Sequence, residues 1–167
     1  MTFKKRNEKS LRIIENLLPL LEGKKNIAIY INIKDEVNTL DFLPYFLENF
    51  DIVCAPVVSD ESMEFYQINS VKNLSVGAFG ILEPLPNNKI DKSEIDVIIV
   101  PVLGYDKYCD RIGYGKGYYD RYLSDYEGLK VGLAFTEQHH HLVPTNENDV
   151  NLDHVVTERG IVSRPKL

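Results

Sequence analysis

The chain has 167 residues, the length of one globular domain, and its 44% hydrophobic and 26% charged residues are the composition of a folded protein rather than a disordered or fibrous one. Nineteen lysines and arginines against 25 acidic residues leave a net charge of −6, which argues against a nucleic-acid backbone as the main partner. No uncharged apolar run reaches the roughly 18 residues of a membrane span and the charged opening Met1–Ser10 has no apolar signal core behind it, so a cytoplasmic protein with no membrane partner is expected.

In chain order, Leu11, Ile14, Leu17, Leu18 and Leu21 recur at helical spacing and predict an amphipathic helix from Arg6 to about Leu21, ended or bent early by Pro19. Asn26–Ile33 is a β-branched run of strand length, and Thr39–Phe50 carries Leu40, Leu43, Phe46, Leu47 and Phe50 on a helical stripe. Asp51–Val58 and Met63–Ile68 read as further strands. Gly77, Gly80, Pro84 and Pro86 make Ser70–Pro86 mostly loop, and Pro86–Glu94 is polar enough for a mobile surface loop. Ile95–Leu103 is apolar almost throughout, as a strand buried on both faces requires. A helix from about Gly117 to Ser124 and a buried strand over Lys130–Phe135 follow. Strands alternating with helices imply a single α/β domain over 1–167, built on a mostly parallel sheet with helices on both faces. Ligands in such sheets sit beyond the carboxyl ends of the strands.

Chemistry concentrates in one segment. Seven of the ten tyrosines lie between Tyr105 and Tyr126, interleaved with Gly113, Gly115 and Gly117 and with Arg111, Lys116 and Arg121. Alternate glycines after a buried strand and before a helix permit positive φ and close backbone approach, so successive N–H groups can cradle an anion, with Arg111 and Lys116 as counter-charge and tyrosine faces for a flat heterocycle. The spacing is neither GxxxxGK[ST] nor GxGxxG, since Tyr118 stands at the third glycine. The same composition also fits a turn whose tyrosines cover the sheet edge. Asp120, on the first turn of the helix, reads either as a helix N-terminal acid or as a ligand for a Mg²⁺ that bridges phosphates. Glu147, Asp149 and Asp153 form a second acidic stretch. Glu36, just past the first strand, is a plain loop acid or an acceptor for the paired N–H and amino donors of a pterin-like ring. Cys54 and Cys109 have no metal spacing and read as reduced thiols, and the consecutive His139, His140 and His141 cannot readily converge on one metal and read as surface histidines. A stacking platform for single-stranded nucleic acid matches the aromatic interleaving but conflicts with the acidic balance.

The run Val100–Leu123, VPVLGYDKYCDRIGYGKGYYDRYL, closely resembles the signature of the 5-formyltetrahydrofolate cyclo-ligase family, also called methenyltetrahydrofolate synthetase. The likeness continues through IAIYINIKDEVNT, MEFYQI, VGAFGILEP, VGLAF and PTNENDVNLDHVVTE, so that it spans roughly Ile27 to Ile161. It implies a three-layer, Rossmann-like α/β domain and an ATP- and Mg²⁺-dependent ring closure of 5-formyltetrahydrofolate to 5,10-methenyltetrahydrofolate, with ADP and phosphate released. By motif position the nucleotide loop is Arg111, Ile112, Gly113, Tyr114, Gly115, Lys116, Gly117, Tyr118 and Tyr119, with Arg111 and Lys116 neutralising phosphate oxygens. Tyr114, Gly115, Lys116, Gly117 and Tyr118 also meet the folate. Ile31 and Glu36 match pterin contacts, Asp120 and Asp153 match the two magnesium carboxylates, and Met63 and Tyr66 are expected as cavity walls. Two departures stand out: a K-x-x-L-R helix that precedes the family's second helix has no counterpart at the expected spacing, and Cys109 replaces a common glycine. The alternative that follows is a folate- or nucleotide-binding protein of the same fold with weakened turnover. A monomer or weak homo-oligomer is expected.

Overall fold

Helix α1 (Phe3–Leu21) begins where Thr2 caps it, the hydroxyl oxygen accepting the N–H of Lys5 at 3.1 Å. Ile13, Ile14, Leu17 and Leu21 form its buried stripe. The helix runs through Pro19 instead of stopping before it. In the last turn a proline forfeits a single N–H, and Leu21 still gains a buried seat before Gly23, at φ +80°, turns the chain away. These features belong to a computed structural model that describes residues 1–33 and 35–166.

Strand β1 (Asn26–Ile29) is shorter than the apolar run that encodes it. Tyr30 and Ile31 stay buried, but past Ile29 side chains take over the backbone partners. The Asn32 Oδ1 accepts the N–H groups of Thr39 and Leu40 at 3.0 and 2.8 Å, and the Thr39 hydroxyl donates to the Tyr30 carbonyl at 2.6 Å. The predicted helix over 39–50 splits into a 3₁₀ turn, Leu40–Phe42, and α2 (Leu43–Asn49), which has proline in its first turn. Strands β2 (Ile52–Ser59) and β3 (Ser62–Gln67) form a hairpin. The stretch expected as a mobile loop supplies an edge strand, β4 (Lys89–Ile90), because Ile90 is buried and pairs with Phe65. After β5 (Val97–Pro101) come α3 (Tyr118–Leu123) and β6 (Leu129–Leu133). The chain then adds a hairpin absent from the sequence reading, β7 (His154–Thr157) and β8 (Gly160–Ser163).

The eight strands form one sheet in the order β8-β7-β6-β5-β1-β2-β3-β4. Strands β7, β6, β5, β1 and β2 are parallel neighbours, while β8, β3 and β4 join antiparallel at the edges. The expected α/β class, with a mostly parallel sheet and helices on both faces, is what the chain adopts. Alternation along β5 fixes the layers. Val97 and Ile99 pack with the α1 and α2 stripe that includes Leu17, Leu43 and Phe46, and Ile98 and Val100 pack with Tyr122 and Leu123 of α3. Helices on opposite faces leave the carboxyl ends of β1 and β5 open between the loops that follow them.

Candidate active site

A cavity of about 1330 Å³ opens at those carboxyl ends. Its floor includes Ile31 after β1 and Pro101 at the end of β5. One wall is the Arg111–Arg121 segment, another is Pro56, Val58 and Met63 of the β2–β3 hairpin, and Pro144 with Asn146–Val150 closes a third side.

The loop between β5 and α3 is held by a buried acid outside the cavity lining. Asp106 is fully buried, and its Oδ1 accepts the N–H groups of Tyr108 and Asp110 while Oδ2 accepts that of Val143 at 2.9 Å. Cys109 is also fully buried and adopts φ +63°, a backbone angle natural to glycine. Its thiol, pushed up to about 11 by burial, reaches the Val162 carbonyl. The cysteine therefore keeps the turn that a glycine would make.

From this base Arg111 enters the cavity wall with its side chain only 6% exposed. Its Nη1 donates to the Pro101 carbonyl at 3.2 Å, Nη2 lies 4.0 Å from the Asp120 carboxylate, and the guanidinium sits 5.5 Å over the Tyr119 ring. Burial draws its pKa below the ordinary guanidinium value, against the pull of Asp120. Among the described residues its Nε has no hydrogen-bond partner. A buried cation with a spare donor in a cavity wall is suited to an anion. Gly113 makes room for it, since a Cβ there would lie 2.5 Å from Nη1. Gly115 and Gly117 take φ +86° and +72°, and Gly117 forms the entry to α3. Lys116 is exposed between them, its carbonyl accepting Nη1 of Arg121 at 2.9 Å. Arg121 Nη2 and the Tyr118 hydroxyl reach the Glu61 and Asp60 carbonyls, tying the loop to the β2–β3 turn.

Glu36, 9% exposed, lines the same cavity. Oε1 accepts the Ile33 N–H at 2.7 Å and Oε2 accepts the Tyr114 hydroxyl at 2.6 Å. Burial raises its pKa, and these two donors oppose the rise. The Tyr114 hydroxyl is pushed up in turn, by burial and by the adjacent carboxylate.

The structure thus brings Ile31, Glu36, the whole of Arg111–Tyr119, Asp120 and Met63 to one cavity. Tyr66 is not among the lining residues: Met63 and Phe65 point to the α3 face, and pleat alternation sends Tyr66 the other way. The expected pairing of Asp120 with Asp153 does not form. Asp153 precedes β7, and the register Val131↔His154 sets it beside Lys130 at the amino end of the sheet, where its Oδ2 accepts the Lys130 N–H at 2.8 Å. Among the described residues, the acids that share the cavity with Asp120 are Glu36, Glu147 and Asp149. Asp120 Oδ1 accepts the N–H of Val150 at 3.1 Å, joining α3 to that segment. Among the described residues no group of three or more His, Cys, Asp or Glu side chains is placed to hold a metal ion. His139, His140 and His141 are exposed. The sequence reading missed the aromatic rim residue Phe79, which is 66% exposed at φ +61°, together with its neighbour Ile81. The flanking glycines of GAFG mark a turn but give no sign that it reaches the cavity.

Among known proteins, the model of the 5-formyltetrahydrofolate cyclo-ligase family matches residues 1–158. A Schizosaccharomyces pombe protein named probable 5-formyltetrahydrofolate cyclo-ligase is 30% identical, the match covering 93% of this chain and 87% of the relative. A Mycoplasma genitalium protein named 5-formyltetrahydrofolate cyclo-ligase is 39% identical over 69% of this chain and 62% of its own length. The solved structure of the Aquifex aeolicus 5,10-methenyltetrahydrofolate synthetase superposes with a TM-score of 0.89 at 34% identity, covering all of this chain and 87% of that one. The Mycoplasma pneumoniae 5,10-methenyltetrahydrofolate synthetase superposes at 0.76 with 28% identity, covering 95% and 90%.

Proposed function

Because the chain belongs to the 5-formyltetrahydrofolate cyclo-ligase family, we propose that it closes the ring of 5-formyltetrahydrofolate to 5,10-methenyltetrahydrofolate, using ATP and releasing ADP and phosphate. The observation that carries this reading is the placement of a buried carboxylate, Glu36, and a buried guanidinium, Arg111, in the lining of one cavity, with Tyr114 of the glycine loop bonded to Glu36. A pterin ring offers adjacent N–H and amino donors, and Glu36 is the acceptor suited to them. A triphosphate needs cationic and N–H donors, and Arg111, Lys116 and the amides of Gly113–Gly117 are suited to those.

In the proposed reaction the formyl oxygen attacks the γ-phosphorus and ADP departs. N10 then attacks the activated carbon, its proton is lost, and the C–O bond breaks to release phosphate. No protein nucleophile is required, and what the chain supplies is orientation and positive charge. Arg111 is fixed by the Pro101 carbonyl and by Tyr119, so it stabilises developing phosphate charge without reorganising. Lys116, exposed on a glycine hinge, closes on the same oxygens. Ile31 and Met63 supply apolar wall against the bound ring. Asp120, with Glu147 and Asp149 on the same cavity, fits the habit of Mg²⁺ of taking one or two carboxylates and completing its shell with phosphate oxygens and water. The ion would neutralise charge on the phosphates.

The test is a spectrophotometric assay of purified protein with 5-formyltetrahydrofolate, omitting ATP and Mg²⁺ in turn. Methenyl product that requires both is the expected result, and product formed equally without ATP overturns the proposal.

A further inference from the structure

The contact between Tyr114 and Glu36 ties the glycine loop to the segment after β1 and joins residues 78 positions apart in sequence. Glu36 already has a local donor, the Ile33 N–H three residues away, which takes Oε1. One donor leaves a carboxylate free to turn about its last side-chain bond. A second donor on the other oxygen, arriving from the glycine loop, fixes its plane. Tyr114 is 48% exposed, so core packing does not account for where its ring lies. It is carried there between Gly113 and Gly115, the latter at φ +86°.

The other groups facing Glu36 do not duplicate this role. Arg6 of α1 donates to the Glu36 backbone carbonyl and leaves the carboxylate untouched. Tyr30 after β1 gives its hydroxyl to the Val37 carbonyl. Tyr119 of α3 and Asp35 next in sequence bear on the site through space, and Arg111 acts on Tyr114 and Tyr119. Among the described residues, Tyr114 is thus the side-chain donor bonded to the carboxylate.

We infer that Tyr114 is the positioning residue for Glu36: its hydroxyl, 2.6 Å from Oε2, holds the buried carboxylate in one orientation and leaves the remaining lone pairs for the ring donors of the folate. The inference rests on the proposed function for the identity of that ligand, but the hydrogen bond itself is a property of the free protein. Both donors stabilise the charged carboxylate against its burial, so removing one moves the Glu36 titration to higher pH.

The experiment compares wild type with Tyr114→Phe, which keeps the ring and removes only the hydroxyl. In ligand-free protein labelled with ¹³C-glutamate, the Glu36 carboxyl resonance, assigned by its loss in Glu36→Gln, should titrate at higher pH in Tyr114→Phe, with the other resonances of the folded protein retained. In turnover, KM for 5-formyltetrahydrofolate should rise about fivefold at neutral pH with kcat nearly constant, and the acid limb of kcat/KM should move the same way as the resonance. A Glu36 titration that does not move overturns the inference, as does a rise in the KM for ATP equal to that for folate. Loss of turnover in wild type would instead remove the proposed function and leave the titration result to decide the inference.

Discussion

On one face of the sheet, α1 and α2 bring Ile13, Leu17, Leu43 and Phe46, all fully buried and all without a polar side-chain atom. On the other, the six-residue α3 brings Tyr122 and Leu123 into a layer with Cys54, Cys109, Tyr105 and Tyr126, beside a loop held by the buried Asp106. The first face is built to bury area. The second accepts a positive-φ cysteine, a buried Tyr122 hydroxyl without a partner among the described residues, and a buried arginine with a spare donor. Features that cost stability collect where the loop is shaped for a ligand, as expected when one layer supports and the other works.

The largest separation between the layers should come from Lys116→Ala. Lys116 is exposed, so Tm should stay within about 1 °C while turnover falls by more than about 100-fold, as read by steady-state assay and calorimetric melting. A melting change with retained turnover would invert the comparison. Phe46→Ala does the opposite. Emptying a fully buried phenylalanine on the α1/α2 face costs about 3–5 kcal/mol and should lower Tm by roughly 10 °C or more, with kcat below the transition nearly unchanged. Glu36→Gln sharpens the contrast further, with the smallest effect. KM for folate should rise about tenfold with the KM for ATP nearly constant. Burial holds the folded pKa of Glu36 above its unfolded value, so charging it destabilises the fold as pH rises through that range. The variant should therefore melt above wild type at neutral pH. The advantage should vanish below about pH 4, where the carboxyl is protonated in both states.

The supporting layer was legible because burial leaves a period: the stripes of α1 and α2 and the apolar run of β5 were visible as patterns. Boundaries were less legible where side chains satisfy the backbone. Asn32 and Thr39 end β1 four residues before its apolar run ends, although Tyr30 and Ile31 remain buried. The hairpin β7–β8 has short strands, HVVT and GIVS, the second opening on a glycine at φ +137°, too brief for a periodicity argument. In the working layer, the clustering of tyrosine, glycine and basic residues located the loop. Which distant residues it meets was not legible, because Tyr114–Glu36 and Arg121–Glu61 are contacts made by the fold. Asp153 shows the reverse case. Its place in the motif suggested the cavity, but the parallel register of β6 and β7 puts it at the other end of the sheet.

On this account one cavity at the carboxyl ends of β1 and β5 takes both ligands, the folate at Glu36 and the nucleotide at Arg111 and Lys116. Calorimetric titration of Mg²⁺–ATP and, separately, of 5-formyltetrahydrofolate into wild type and Lys116→Ala tests it directly. The account predicts one site for each ligand in wild type, and in the variant a loss of nucleotide affinity of about tenfold or more that exceeds any loss for folate. Unchanged nucleotide affinity in Lys116→Ala would contradict it.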